Sequence, residues 1–245
     1  MDAVVSVAHD VEKLGVVVAA ALAAVVVLTP NLRARGYAGL GALALTPVLL
    51  VAEIWNTPQF RPIRDRPALA VAAAVLAVLA VLAAAKLIER RPLALPIAAV
   101  AVLPFRVPIA SGGETAKLLV PLYLVVAAGA LAFALADLRG EPLATGGDGN
   151  NPPRRGGWLE RLLLGFVLLY AVQGVYSSAF SKALEQVVFF YVPFALLYGQ
   201  LVRYTWTPRL LKTCLAVLAG LAIVFSLVGF VEYSTRTLLL NPKVI

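Results

Sequence analysis

The chain has 245 residues, of which 61% are hydrophobic and only 14% are charged; its mean hydropathy is +0.90. This composition excludes a water-soluble globular domain and indicates an integral membrane protein. The single cysteine, Cys214, excludes a disulfide framework and a thiolate metal site, and the chain has one histidine, His9. A Ser-His-Asp triad or a histidine-ligated metal could be built only through His9.

The apolar runs predict an all-α polytopic bundle of about eight transmembrane helices, because they lack the polar alternation of barrel strands. The first run follows Asp10, Glu12 and Lys13 with no cleavage site after it, so we expect it to remain a membrane helix rather than a signal peptide. The predicted helices are about 14–30, 37–55, 68–87, 93–110, 118–136, 159–179, 187–203 and 212–232.

One hydrophilic segment divides the chain into three parts. Residues 138–157, LRGEPLATGGDGNNPPRRGG, are rich in Gly, Pro and Asn and predict a mobile loop. Residues 1–137 form a five-helix membrane segment in this interpretation. Residues 158–245 form a three-helix segment with an extracytoplasmic tail.

The charge pattern predicts the orientation. The net charge is +8, but the 21 lysines and arginines are distributed among the loops, so we expect membrane lipids as partners and no nucleic acid. Alternate sides receive 12 and 9 of them. The richer side should be cytoplasmic, which places the N-terminus and residues 111–117 outside and residues 138–157 inside.

The segment LPFRVPIASGGETAKLLVPLYLV, residues 103–125, contains the candidate binding residues. Its prolines remove backbone donors within an apolar run, and Arg106 lies where the fourth helix should still be in the membrane. A guanidinium in a broken segment can hold a diphosphate, with Lys117 nearby in sequence. Alternatively, Arg106 extends to the lipid headgroups. No residue is assigned a catalytic role. No metal or nucleotide motif occurs, so we expect no cofactor.

Several strings resemble the N-terminal half of the bacterial O-antigen ligase and polymerase family. They are TPVLLVAEIW (46–55), LPFRVPIASGGETAKLLVPLYLVVAAG (103–129), YSSAFSKALEQVVFFYVPFALLYG (176–199), WTPRLL (206–211) and FVEYSTRTLLLNPKVI (230–245). The resemblance implies a multi-pass glycosyltransferase of the bacterial cytoplasmic membrane. It would act on undecaprenyl-diphosphate-linked glycan in cell-surface polysaccharide assembly, without metal or nucleotide.

The resemblance also implies parts that this sequence lacks. Members of the family carry an arginine early in the chain, which Arg106 matches. They also carry an arginine and a histidine in a large extracytoplasmic loop of their second half, and these have no counterpart here. We therefore expect a truncated gene product or a module that associates with a missing C-terminal half, and we expect residues 1–245 alone not to transfer glycan. The alternatives are a secondary transporter or flippase component and a non-catalytic membrane scaffold.

Overall fold

The structure is a computed structural model that describes residues 2–54, 66–105, 107–111, 114–141, 143 and 157–236. The first half contains α1 (Asp2–Leu28), α2 (Leu32–Ile54), α3 (Pro67–Arg90), α4 (Ala94–Val102), β1 (Val107–Ser111), β2 (Glu114–Leu118) and α5 (Val120–Arg139). The second half contains α6 (Trp158–Val175), α7 (Phe180–Gln186), a π-helical turn (Val187–Tyr191), α8 (Val192–Leu201) and α9 (Pro208–Thr235). The predicted mobile loop, 138–157, lies mostly outside the described residues.

The helical fold class is confirmed, and the protein is a membrane protein by the length and composition of its helices. Within the described part of the chain, six helices are long and apolar enough to cross a bilayer. They are Val11–Leu28, Pro67–Arg90, Val120–Arg139, Trp158–Val175, Phe180–Leu201 and Pro208–Thr235. The range Phe180–Leu201 counts α7, the π-helical turn and α8 as one continuous helix. The predicted number of about eight spans is not confirmed. Neither α2 nor α4 is among the six, and α4 with its nine residues rises only about 14 Å against a hydrocarbon core of about 30 Å.

The largest departure from the predicted helices follows α4. The predicted helix 93–110 ends at Val102, and the chain then forms an antiparallel hairpin in which Val107 pairs with Leu118 and Ser111 with Glu114. The cause lies in the prolines, because Pro104 and Pro108 remove helix donors and Pro108 biases the residue before it toward extended backbone. The ladder pairs backbone groups that a helix would otherwise have paired.

Two helix ends at the same end of the bundle are set by local signals. Gly140 ends α5 in a left-handed conformation (φ 76°), and the amide of Glu141 donates to the carbonyl of Ala136 at 3.1 Å. Thr207 caps α9 by accepting from the amide of Leu210 at 3.2 Å, with Pro208 in the first helical position.

The core is made by small residues that allow helices to approach closely. α1 packs against α2, α6 and α8, and α2 also packs against α5. Fully buried alanines line these contacts, among them Ala19, Ala20, Ala23 and Ala42. Small residues are the usual interface of membrane helices, because lipid provides no hydrophobic drive for association. By contrast, α3 and α9 are buried along only a small part of their length.

Candidate functional site

The hairpin pairs the sequence segments that follow Arg106 and contain Lys117, the two predicted binding residues. Arg106 itself lies outside the described residues. Val107, which follows it, pairs with Leu118, and Lys117 pairs with Pro108 through the backbone. The two sequence positions therefore belong to opposite strands of one short hairpin.

The hairpin begins at one end of the bundle. The ring of Phe105, just before it, lies 5.8 Å from the ring of Phe225 between centroids. Phe225 is about 25 Å along α9 from Pro208. The segment between α8 and α9 is consequently at the opposite end.

That opposite end contains an ion triad formed by residues far apart in sequence. Arg35 in the first turn of α2 donates from Nε to Oδ2 of Asp137, in the last turn of α5, at 2.8 Å. Its Nη2 donates to Oδ1 of the same carboxylate, also at 2.8 Å. Arg203, just after α8, donates from Nη1 to Oδ2 of Asp137 at 3.1 Å. The carboxylate thus joins three helices.

Burial makes this triad electrostatically important. The side chain of Asp137 is 1% exposed, and those of Arg35 and Arg203 are 10% and 16% exposed. Bidentate guanidinium-carboxylate pairing is the geometry that best offsets the removal of both charges from water. The three side chains together carry one net positive charge.

The second arginine is further held by an aromatic ring. The guanidinium of Arg203 lies over Phe133, 4.7 Å from its centroid. Burial and the positive charge of Arg35 lower the pKa of Arg203 to about 10, against the opposing effect of Asp137. It therefore remains protonated at neutral pH.

Tyr204 contacts the segment between α3 and α4 at the same end of the bundle as the triad. Its hydroxyl donates to the carbonyl of Pro92 at 2.6 Å, and its ring meets Phe133 edge-on at 6.1 Å. Burial raises the pKa of Tyr204, so the phenol is a neutral donor at physiological pH.

A second, more exposed cluster joins α3 to α5. Glu89 accepts from Lys86 Nζ at 2.9 Å and from Arg139 Nη1 at 3.1 Å. The triad and the Glu89 cluster together show that the connections after α1, α3, α5 and α8 lie at one end of the bundle. This grouping is what strict alternation of helix direction requires.

The interior next to the triad is closely filled. Gln200 donates from Nε2 to the carbonyl of Val126 at 3.1 Å, while its Oε1 is buried without a partner among the described residues. The cavity lined by Arg35, Asp137, Gln200 and Arg203 has a volume of about 10 Å³. A space of that size admits one water molecule at most. The triad is therefore a structural junction and no chamber for a sugar or a diphosphate.

Sequence reasoning missed this junction. Arg35 and Arg203 are counted there only among the 21 basic residues of the loops, and residue 137 only marks the end of the first membrane segment. The available signal was Asp137 itself, a lone acid at the end of a long apolar run on the side richer in arginine. Its pairing could not be read from spacing, since its partners lie 102 and 66 residues away.

No family model, curated protein or solved structure matches this chain. Among the described residues, no group of three His, Cys, Asp or Glu side chains is arranged to hold a metal ion.

Proposed function

We propose that this chain is the membrane portion of an O-antigen ligase-like glycosyltransferase of the bacterial cytoplasmic membrane. In this proposal it acts on polyprenyl-diphosphate-linked glycan during assembly of cell-surface polysaccharide. Support comes from the resemblance of residues 46–55, 103–129 and 176–199 to that family and from the six apolar helices suited to a membrane.

The observation that carries the proposal is the interruption between α4 and α5. A chain that only had to cross the bilayer would continue as a helix, whereas this one ends α4 at Val102 and forms a hairpin. A helix interrupted within an apolar run that could otherwise span the membrane is a feature of the substrate and ion sites of many transporters. Arg106 directly precedes the hairpin in sequence, and Lys117 lies on its second strand.

The proposed chemistry is recognition of a diphosphate. A guanidinium can donate two parallel hydrogen bonds to phosphate oxygens, whereas an ammonium acts as a point charge. We assign Arg106 to the bidentate contact and Lys117 to an additional positive charge. Neither role includes proton transfer, so a general base would have to come from another residue.

The test compares Arg106→Lys and Arg106→Ala with the natural residue in the complete protein, together with the second half that the resemblance implies, in a glycan-transfer assay with lipid-linked donor. Both variants should accumulate in the membrane and lose transfer. Arg90→Lys is the matched control, since Arg90 is exposed in the last turn of α3, and it should keep transfer. Full transfer by Arg106→Lys would contradict the bidentate role.

The same assay distinguishes the other classes. Movement of the lipid-linked glycan across vesicles without transfer would identify a transporter or flippase component. Binding without transfer or movement would identify a scaffold. Either result would overturn the proposed enzymatic function.

A further inference from the structure

The hairpin between α4 and α5 has two edges, and only one of them can pair fully with another strand. Among the described residues its sheet consists of β1 and β2 alone. An isolated two-stranded hairpin is only marginally stable, and unpaired backbone groups become costly close to lipid. Free strand edges are also a common place for another polypeptide to add a strand. The two edges are therefore compared group by group.

Pro108 determines which backbone groups of the hairpin point outward. It has no N–H, so Pro108 and Lys117 cannot exchange two hydrogen bonds and must be a non-hydrogen-bonded pair of the ladder. Such pairs alternate with hydrogen-bonded ones, so Ala110 and Thr115 are the next non-hydrogen-bonded pair. The two-residue connection between the strands agrees, because it requires the pair that flanks it to be hydrogen-bonded.

The two edges consequently offer different groups to an incoming strand. On the β2 edge, Thr115 and Lys117 each direct one N–H and one C=O away from β1. On the β1 edge, Ala110 directs both groups outward, but Pro108 offers only its carbonyl. An incoming strand can therefore form two complete hydrogen-bonded pairs with β2 and only one with β1.

The β2 edge is complementary to itself. When two β2 strands lie antiparallel with Ala116 opposite Ala116, Thr115 of each chain lies opposite Lys117 of the other. All four outward N–H groups then donate to the four outward carbonyls, and none is left over. A shift by two residues in one direction puts the two Lys117 residues opposite each other, which is unfavourable for like charges. The opposite shift puts Lys117 opposite residue 113, beyond the end of the strand.

The faces of the hairpin suit the symmetry of such a pair. By register, one face holds Val107, Ile109, Ala116 and Leu118, with Ser111 and Glu114 at its tip, and the other holds Pro108, Ala110, Thr115 and Lys117. The first set is mainly apolar, as expected for a hairpin that lies flat on the membrane. Antiparallel strands are related by a two-fold axis perpendicular to their sheet, so this axis would be parallel to the membrane normal. An axis in that direction keeps both copies inserted with the same orientation.

We propose that β2 pairs antiparallel with β2 of a second copy of this chain, so that two hairpins form one sheet in the strand order β1, β2, β2, β1. The strands that contain Pro108 become its outer edges, and neither edge offers two complete pairing positions. The assembly is therefore a closed dimer. It is independent of the proposed glycan transfer, because the pairing uses neither Arg106 nor the side chain of Lys117.

Cysteine crosslinking of the full chain in isolated membranes tests the register of the pairing. In a Cys214→Ala background, the Ala116→Cys positions of two chains form a non-hydrogen-bonded pair with Cα atoms about 4.5 Å apart, which suits a disulfide. A mild oxidant should give a dimer that a reductant removes. Thr115→Cys is the matched control, because its Cα atoms would be about 9 Å apart and it should crosslink poorly. No dimer with Ala116→Cys, or equal yields from the two variants, would overturn the proposal.

Two proline substitutions, each added to Ala116→Cys, test the edge itself. Thr115→Pro removes an outward N–H of β2 and with it two of the four interchain hydrogen bonds, so the crosslinked fraction should fall at least about fivefold. Ala110→Pro makes the same change at the paired residue of β1, whose outward N–H lies on the other edge, and should leave the fraction unchanged. Equal yields from the two proline variants would refute the assignment of the β2 edge. A crosslink from Ala116→Cys to a different protein would identify another partner and overturn the second copy as the occupant.

Discussion

Arg35 and Asp137 form a bidentate ion pair, with both N–O distances at 2.8 Å, although 102 residues separate them in sequence. The pair joins the start of α2 to the end of α5, and Arg203 brings the end of α8 to the same carboxylate. Because the carboxylate is almost fully buried, it stabilises the fold only while its partners remain in place.

Asp137→Asn should strongly destabilise the protein. The substitution leaves two buried guanidinium groups without their counter-ion, and breaking a buried pair in this way costs about 3–5 kcal/mol. Thermal unfolding in mild detergent should show a much lower midpoint. Glu141→Gln is the control, since Glu141 is exposed four residues later, and it should unfold as the natural protein does. Similar midpoints for Asp137→Asn and Glu141→Gln would show that the triad contributes little.

Replacing all three charges should be far less harmful than removing one. In the combination of Arg35→Met, Asp137→Leu and Arg203→Met no buried charge remains, and apolar replacement of a whole triad is often neutral or stabilising by about 1–4 kcal/mol. Methionine also keeps a polarisable contact with the ring of Phe133 at position 203. We expect the triple variant to unfold at a higher temperature than Asp137→Asn. The reverse order would mean that the charges specify the fold as well as stabilise it.

The sequence predicts the helices well and the contacts between them poorly. Long apolar runs make α3, α6 and α9 evident to within a few residues, because lipid demands that helical backbone be continuous. The break after Val102 is foreshadowed by Pro104 and Pro108, yet nothing in spacing indicates that the chain will pair as a hairpin. The triad cannot be predicted from the sequence for a related reason. An arginine at a helix end has the same local sequence pattern whether its side chain faces lipid headgroups or a buried carboxylate.

Tyr204→Phe should destabilise the protein at neutral pH and lose this effect in alkali. The substitution removes the hydrogen bond from Tyr204 to the carbonyl of Pro92, which keeps its bond from the amide of Leu95, at a cost of about 0.5–1.5 kcal/mol. Burial raises the pKa of Tyr204 above the ordinary 10.0, so ionisation is easier in the unfolded chain. The stabilising contribution is complete below pH 10 and declines as the pH rises further. Unfolding midpoints of both proteins from pH 7 to 11 would check this, and a difference that grows with pH would contradict it.

Gly129→Ala and Gly165→Ala should have opposite effects. At Gly129 an added Cβ would lie 2.8 Å from Leu95 Cδ1 and even closer to Gln200 Oε1, in a part of α5 that is fully packed. Such overpacking typically costs about 1–3 kcal/mol. At Gly165 a Cβ meets nothing within 4 Å, so the better helix propensity of alanine should be neutral or favourable by up to about 1 kcal/mol. Unfolding in detergent compares the two directly, and equal tolerance would show that the α5 interface is looser than its geometry indicates.

The side of the membrane on which one loop lies determines the side of every other loop. Because the connections after α1, α3, α5 and α8 meet through Asp137 and Glu89, one labelled loop orients the whole bundle. The 12 to 9 distribution of basic residues predicts that this shared end is cytoplasmic.

In a Cys214→Ala background, Ser111→Cys in β1 should react with an impermeant maleimide in intact cells. Gly147→Cys, in the loop after α5 and outside the described residues, should react only after the membrane is opened. The reverse pattern would invert the orientation and place the hairpin in the cytoplasm, away from the periplasmic substrate of the proposed reaction. Labelling of both positions from outside would contradict the alternation of helices itself.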